Sequence, residues 1–283
     1  MLFLRDAYSS KEWKKKVTAM HTWKSVGIGV LTLLLLIVCV RVEYGIYQAQ
    51  STNAQPSSEV SVTKVMQENK REKQKEAQKV AYLTFDDGPS QNTERVLDVL
   101  KSYEIHATFF LIGSNITEEN EQLVRRMVDE GNVVGVHTYS HVAKQIYASV
   151  DGFTTDFKQA EQSIMAVTGE KPTLCRFPWG SANNYLKNIE KTVIPWLEKQ
   201  GYYYCDWNVS AEDSVGNPTE YSILHNIKKD YERYDMPVLL MHDSGCNELT
   251  AKMLPQIITM LKDSGYRFDT LDHMETPYQY PKN

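Results

Sequence analysis

From Val80 onward, short apolar runs alternate with longer amphipathic stretches, and this alternation constrains the fold more than any other feature of the 283-residue chain. The apolar runs fall at 80–85, 106–112, 132–136, 173–177, 202–207, 237–241 and 266–270. Between them, 92–103, 118–130, 153–168, 185–200, 219–233 and 248–264 repeat apolar side chains at helical spacing. Strands that alternate with helices pair in parallel, because each helix carries the chain back across the sheet before the next strand begins. The pattern predicts an α/β domain over 80–275, with a helix-covered parallel sheet that is either open or closed into a barrel. About 200 residues suffice for one such domain with a sizeable core.

In barrels of this kind chemistry gathers at the carboxyl ends of the strands, so reactive side chains at those positions are the site candidates. The first strand runs into Asp86-Asp87-Gly88-Pro89. Adjacent carboxylates there suit a catalytic site, and Asp with Gly-Pro equally suits a turn or helix cap. The third runs into His137-Thr138-Tyr139-Ser140-His141. Histidines four apart share one helical face, and two of them with a carboxylate make an open site for a divalent metal. Taken alone, they are also compatible with surface or hydrogen-bonded histidines. Arg176 ends the fourth strand before Phe177-Pro178-Trp179-Gly180, where it would orient a carboxylate or form a surface ion pair. Asp206 and Trp207 end the fifth, with Asp213 close behind. His242 and Asp243 end the sixth, and a third histidine at a third strand end is an acid/base candidate. Each signal is moderate, and their coincidence at separate strand ends carries the argument. Gly88, Gly113 and Gly180 follow no phosphate-loop pattern, so no nucleotide is expected.

In order and spacing, TFDDGPS, HTYSH, RFPWG, DWNVSAED and LLMHD resemble the motifs of the polysaccharide deacetylases, the NodB-homology or family-four carbohydrate esterases, over about residues 80–270. The resemblance implies a distorted (β/α) barrel and metal-dependent hydrolysis of N-acetyl groups on amino sugars. It implies Asp86 as the catalytic base, and Asp87, His137 and His141 as metal ligands. The metal would be zinc, with cobalt, nickel or iron as alternatives. Arg176 would pair with Asp86 and hold it ionised, His242 would be the general acid, and Asp213 would tune it. Leu240 would wall the acetyl pocket, and Trp179 and Trp207 would meet substrate, with the Trp179 backbone N–H as oxyanion donor. Ser210 stands where the family commonly has Asp, Ser214 where it has Trp, and Trp179 where it more often has Tyr.

The formal charge of −5 is an average over unlike parts. Residues 1–42 hold seven Lys/Arg and two Asp/Glu, whereas residues 80–283 hold 18 and 29. An acidic globular half argues against a nucleic-acid partner. The uncharged run Val26–Val40 follows a basic head that includes Lys14, Lys15, Lys16 and Lys24. That order predicts a cytoplasmic segment at 1–24, a transmembrane anchor at 25–42 and an extracellular linker at 43–79, so the expected partners are the lipid bilayer and a cell-surface glycan. A signal peptide cleaved after the apolar run, giving a secreted protein, is the alternative. Outside a membrane the first glycan to consider is peptidoglycan, through its N-acetylglucosamine. N-acetylmuramic acid, poly-N-acetylglucosamine, chitooligosaccharides and O-acetyl esters remain open, as does a catalytically silent glycan-binding domain on the same fold. Four cysteines are too few for a disulfide scaffold. Cys39 falls in the apolar run, leaving Cys175, Cys205 and Cys246 to form at most one bridge or to remain as buried thiols.

Overall fold

The computed structural model describes residues 79–281. The anchor expected at 25–42, the segment before it and all but the last residue of the linker lie outside the described residues. Among the described residues no helix is long and apolar enough to cross a membrane.

Eight strands form one sheet in the order β5-β4-β3-β2-β1-β7-β6, with β8 attached to β1. They are β1 (Val80–Asp86), β2 (Thr108–Leu111), β3 (Val133–Val136), β4 (Leu174–Cys175), β5 (Tyr203–Tyr204), β6 (Val209–Ser210), β7 (Val238–His242) and β8 (Arg267–Phe268). Every pairing is parallel. The crossovers are α1 (Gln91–Ser102), α2 (Glu121–Asp129), the single-turn α3 (Ala143–Ile146), α4 (Val150–Thr168), α5 (Glu190–Lys199), α6 (Glu220–Asp230) and α7 (Glu248–Asp263). The described strands do not close the sheet, because β5 and β6 end it on opposite sides. The architecture is a parallel-sheet α/β half-barrel.

Position in the sheet explains the sequence of each strand. β1 is flanked on both edges and buried along its whole length, so it reads as a continuous run rather than an alternating one. On one face Phe85 stacks on Phe109 at 5.2 Å between ring centroids. Full burial of one such ring contributes about 1.5–3 kcal/mol. α7 presents Ala251, Leu254, Ile258 and Leu261 to the core at helical spacing. α1 opens with Ser90 as N-cap, whose side chain accepts from the Asn92 N–H in a reciprocal box with Thr93.

The register matters most for function. β1 and β7 pair from Tyr82↔Val238 to Asp86↔His242, so residues from opposite ends of the domain finish side by side. The structure departs from the sequence expectation at the sheet's edges. The runs 173–177 and 202–207 shrink to two-residue strands: the Arg176 N–H makes a last bond to the Val136 carbonyl, and the Asp206 N–H donates instead to the Tyr278 carbonyl. β6 was not anticipated: Val209–Ser210 lies in a polar stretch with no apolar run to mark it. The three described cysteines form no disulfide, and Cys246 is exposed, against the expectation of buried thiols that Cys175 and Cys205 meet.

Candidate active site

The turn after β1 fixes the first two carboxylates. Asp86 is the last residue of the strand and is 3% exposed, whereas Asp87 adopts φ +76 and swings its carboxylate to the rim. Gly88 must follow, because a Cβ there would lie 2.5 Å from the Asp243 carboxylate. Asp243 is itself fully buried and receives the Thr93 hydroxyl, and its carboxyl is pushed up to about 7 by burial.

The segment after β3 brings the two histidines to Asp87. Asp87 Oδ1 stands 3.5 Å from His137 Nε2 and 3.5 Å from His141 Nε2. The three ligand atoms lie within 4.8 Å of one another, and Asp87 Oδ1 is buried without a hydrogen-bond partner. His137 donates Nδ1–H to the Arg176 carbonyl at 2.9 Å, which leaves its Nε2 lone pair pointing at the cluster. Burial, together with neighbouring His141, pushes the His137 pKa down to about 3, so the ring is neutral. A neutral imidazole with a fixed tautomer beside an orphaned carboxylate oxygen is the donor set a divalent cation takes.

The His137–His141 loop is not the helical turn that their spacing suggested. Thr138 has φ +68 and His141 φ +52, and the chain is held by Asp156 of α4. The Asp156 carboxylate accepts from the Tyr139 N–H at 2.6 Å and the Ser140 N–H at 3.1 Å. Among the described residues six non-glycine positions have positive φ. Five of them (Asp87, Thr138, His141, Trp179 and Glu212) lie in loops of this site, which concentrates backbone strain where function is expected.

Arg176 is the buried hub. It is 1% exposed, with its guanidinium carbon 4.3 Å from the Phe110 ring centroid. It donates to Asp86 Oδ1 at 2.9 Å, Thr84 Oγ1 at 2.7 Å, the Cys205 carbonyl at 2.9 Å and the Asp206 carbonyl at 3.1 Å. The pairing with Asp86 is the one expected. Burial raises the Asp86 carboxyl pKa, and the charge and hydrogen bond of Arg176 act against that rise. Asp86 Oδ2 faces the cluster, 3.8 Å from His137 Nε2.

Opposite Asp86, His242 donates Nδ1–H to Asp213 Oδ1 at 2.8 Å. Asp213 Oδ2 accepts from the His242 backbone N–H at 2.8 Å and from the Thr250 hydroxyl at 2.6 Å. Burial opposes the imidazolium, but the Asp213 hydrogen bond and charge, joined by Asp86 and Asp87, overcome it and push His242 up to about 9. The motif departures have local roles. Ser210 Oγ accepts from the Glu212 N–H, and Ser214 Oγ accepts from Asn247 Nδ2.

Of the remaining sequence candidates, Leu240 is buried two residues before His242, on the same face of β7. Trp207 lies beside Arg176, 5.7 Å from the guanidinium carbon to the ring centroid, and edge-on to Tyr280. Trp179 packs on His141 at 4.9 Å. Sequence reasoning missed Asp156, whose charge looked like an ordinary solvent face of a helix. It also missed the packing of the Asp243 carboxylate against the Gly88 turn.

The half-barrel thus gathers Asp86, His242 with Asp213, and the Asp87–His137–His141 cluster at its strand ends. The polysaccharide deacetylase family model matches residues 73–193. The crystal structure of the catalytic domain of peptidoglycan N-acetylglucosamine deacetylase from Eubacterium rectale ATCC 33656 aligns with a TM-score of 0.67 at 32% identity, over 72% of this chain and 94% of that one. The polysaccharide deacetylase Bc1974 from Bacillus cereus aligns with a TM-score of 0.64 at 31% identity, over 71% and 97%. A peptidoglycan-N-acetylglucosamine deacetylase of Bacillus cereus (strain ATCC 14579) is 29% identical over 264 residues, 85% of this chain and 90% of that protein. The chain therefore belongs to the polysaccharide deacetylase family, and it is a hydrolase.

Proposed function

We propose that this enzyme removes N-acetyl groups from amino sugars of a cell-surface glycan, with peptidoglycan N-acetylglucosamine as its first substrate, and releases acetate. The observation that carries the reading is the Asp86↔His242 pairing across β1 and β7, beside the Asp87–His137–His141 cluster. A base candidate, an acid candidate and a cation cradle thereby meet at one point.

The cradle's two imidazoles and one carboxylate suit zinc first, and cobalt, nickel or iron as alternatives. A divalent cation held by Asp87, His137 and His141 would acidify a water, polarise the acetyl carbonyl and offset the burial that raises Asp86. Asp86, fixed through Oδ1 by Arg176, turns Oδ2 to the cluster side and takes the proton of the attacking water. The Trp179 N–H has no acceptor among the described residues and is free to donate to the oxyanion. His242, held through Nδ1 by Asp213, gives its Nε2 proton to the departing sugar nitrogen. The water oxygen ends on the acetyl carbon, the C–N bond breaks, and acetate and a free amine remain. Leu240 receives the acetyl methyl group, and Trp207 walls the site on the Arg176 side.

The basic head and the apolar run at 25–42 support an anchor that leaves the catalytic domain outside the cell membrane, next to such a glycan. The peptidoglycan deacetylases among the similar proteins support the same substrate. The test is acetate release by the purified full-length protein from N-acetylglucosamine oligomers and from isolated peptidoglycan, after chelation and after zinc is restored. Zinc-restored release supports the reading. Tight glycan binding with no acetate under any metal would replace it with a silent binding domain.

A further inference from the structure

Asp206 follows β5 at the edge of the site, and the proposed hydrolysis gives it no role. It is fully buried, with both carboxylate oxygens engaged. Oδ1 accepts from the Ser181 N–H at 2.7 Å, and Oδ2 accepts from the Ser181 hydroxyl at 2.5 Å and the Tyr280 N–H at 2.9 Å. Its backbone carbonyl accepts from Arg176 Nη2 at 3.1 Å.

Arg176 and Ser181 are the two ends of one turn, which carries Trp179 at φ +64 and Gly180 at φ +78. Inside the turn the Gly180 N–H donates to the Phe177 carbonyl at 2.8 Å, and Asn183 Nδ2 donates to the Pro178 and Gly180 carbonyls. Those bonds set the shape of the turn but not its place against the rest of the site. Asp206 fixes the place, because it grips the first end through its carbonyl and the last through its carboxylate.

Asp206 is itself held from behind. Among the described strands β5 ends the sheet, and the 278–280 strap runs beside it. The Asp206 N–H donates to the Tyr278 carbonyl at 2.7 Å, and Gln279 Nε2 donates to the Tyr204 carbonyl at 3.2 Å. A Cβ on Gly180 would stand 3.0 Å from both the Trp207 and the Tyr280 rings, so the turn lies hard against this backing. A buried carboxylate with three donors and a fixed backbone has no freedom to swing.

We infer that Asp206 is a positioning residue for the hydrolysis: it clamps the Arg176–Ser181 turn, so that the Trp179 N–H stands where the oxyanion forms and Arg176 stays on Asp86. The inference rests on the deacetylase reading and adds the residue that sets the geometry of that site. Such a clamp acts on the transition state more than on the bound sugar, because the acetyl oxygen takes its full charge only there.

The test compares zinc-loaded full-length wild type with Asp206→Ala, Asp206→Asn and Ser181→Ala on the N-acetylglucosamine pentamer. Asp206→Ala is expected to lower kcat about 10- to 100-fold, less than outright loss of an oxyanion donor, with KM and zinc content unchanged. Asp206→Asn keeps an oxygen for the Ser181 N–H and gives up the Tyr280 bond, so kcat should stay within about threefold of wild type. Ser181→Ala removes one grip of two and should fall between them; it judges the clamp if Asp206→Ala does not fold. Calorimetric titration with the methylphosphonamidate of glucosamine, a tetrahedral mimic of the attacked acetyl group, reads the same geometry without turnover. Its binding should weaken in step with kcat across the variants. An unchanged kcat in Asp206→Ala and Ser181→Ala, a loss carried by KM, or mimic binding that ignores the variants overturns the inference. Asp206→Asn as poor as Asp206→Ala also overturns it, since the charge and not the clamp would then be what acts. Wild type that binds the mimic but releases no acetate from any sugar overturns the deacetylase reading, and the titration still decides the clamp; wild type that does neither overturns both.

Discussion

Two aspartate–histidine groupings face each other across the end of the same sheet, and they are driven to opposite protonation states. In one, His137 gives Nδ1–H to a backbone carbonyl and is buried beside a second histidine, so its pKa falls to about 3. In the other, His242 gives Nδ1–H to the Asp213 carboxylate and is raised to about 9. The residue types are the same, and the strands that carry them belong to one parallel sheet. Burial depresses both rings, and His141 depresses His137 further, but only His242 has a carboxylate behind it to overcome that burial. A neutral acceptor leaves an imidazole that can only bind through its lone pair, whereas a carboxylate makes an imidazolium that can give a proton away.

The sharpest way to break this division is at Asp86, which lies between the two groupings. Asp86→Asn keeps the shape but cannot accept a proton, and kcat should fall by about 10²–10⁴-fold. Metal content, measured on the purified variant by atomic absorption, should persist, because the cluster uses Asp87. Asp87→Asn should do the reverse and lose the metal first. Metal loss in Asp86→Asn alone would mean that the two neighbouring aspartates have exchanged roles.

Asp213→Asn attacks the other side. Only Asp86 and Asp87 would then oppose burial at His242, and its pKa should drop from about 9 toward the ordinary imidazole value, as read by NMR titration of the metal-free protein. Each unit by which the pKa falls below the assay pH costs about tenfold in the protonated fraction. Turnover near pH 8 should therefore fall about 10- to 100-fold, with metal binding intact. A variant whose His242 still titrates at the wild-type position would show that Asp213 is not what separates the two histidines.

The same pair makes a smaller, thermodynamic prediction. The folded His242 pKa lies above its unfolded value of 6.5, so its contribution to stability is fully present below that value and is lost as pH rises through about 9. The melting temperature of the metal-free protein should decline across that interval, and Asp213→Asn should flatten the decline. Equal slopes in the two proteins would remove His242 as the cause.

The sequence made the acid side and the cluster legible because both lie where apolar runs stop, at Asp86, His137 and His242. A continuous run such as 80–85 can only be a buried strand, and the polar residue that ends it must sit at the sheet's rim. The edges were less legible. β6 has no apolar run, and the Asp206 N–H leaves the sheet for the Tyr278 carbonyl, a contact between distant residues that local pattern does not encode. The histidine pair shows the limit most plainly. Its spacing suggested a helical face, yet the chain reaches Asp87 through two left-handed residues instead. Such a path requires support from elsewhere in the fold, and Asp156 supplies it from a helix that sequence marks only as amphipathic.

Asp156 therefore gives the mildest test of the comparison, acting on where the cluster sits and not on its chemistry. Its carboxylate satisfies two consecutive N–H groups between the ligands, and it is only partly buried. Asp156→Ala would leave those donors to water, and Thr138 and His141 would be free to relax from positive φ. The expected cost is about 10-fold in metal affinity, at the low end for a group that supports ligands without touching the metal. Competition with a chromogenic chelator reads that affinity directly. Saturating metal should bring kcat back close to wild type, because neither Asp86 nor His242 has moved. A variant that binds metal as tightly as wild type would mean that the β3 end alone positions both histidines, and that the strain in the loop needs no carboxylate to hold it.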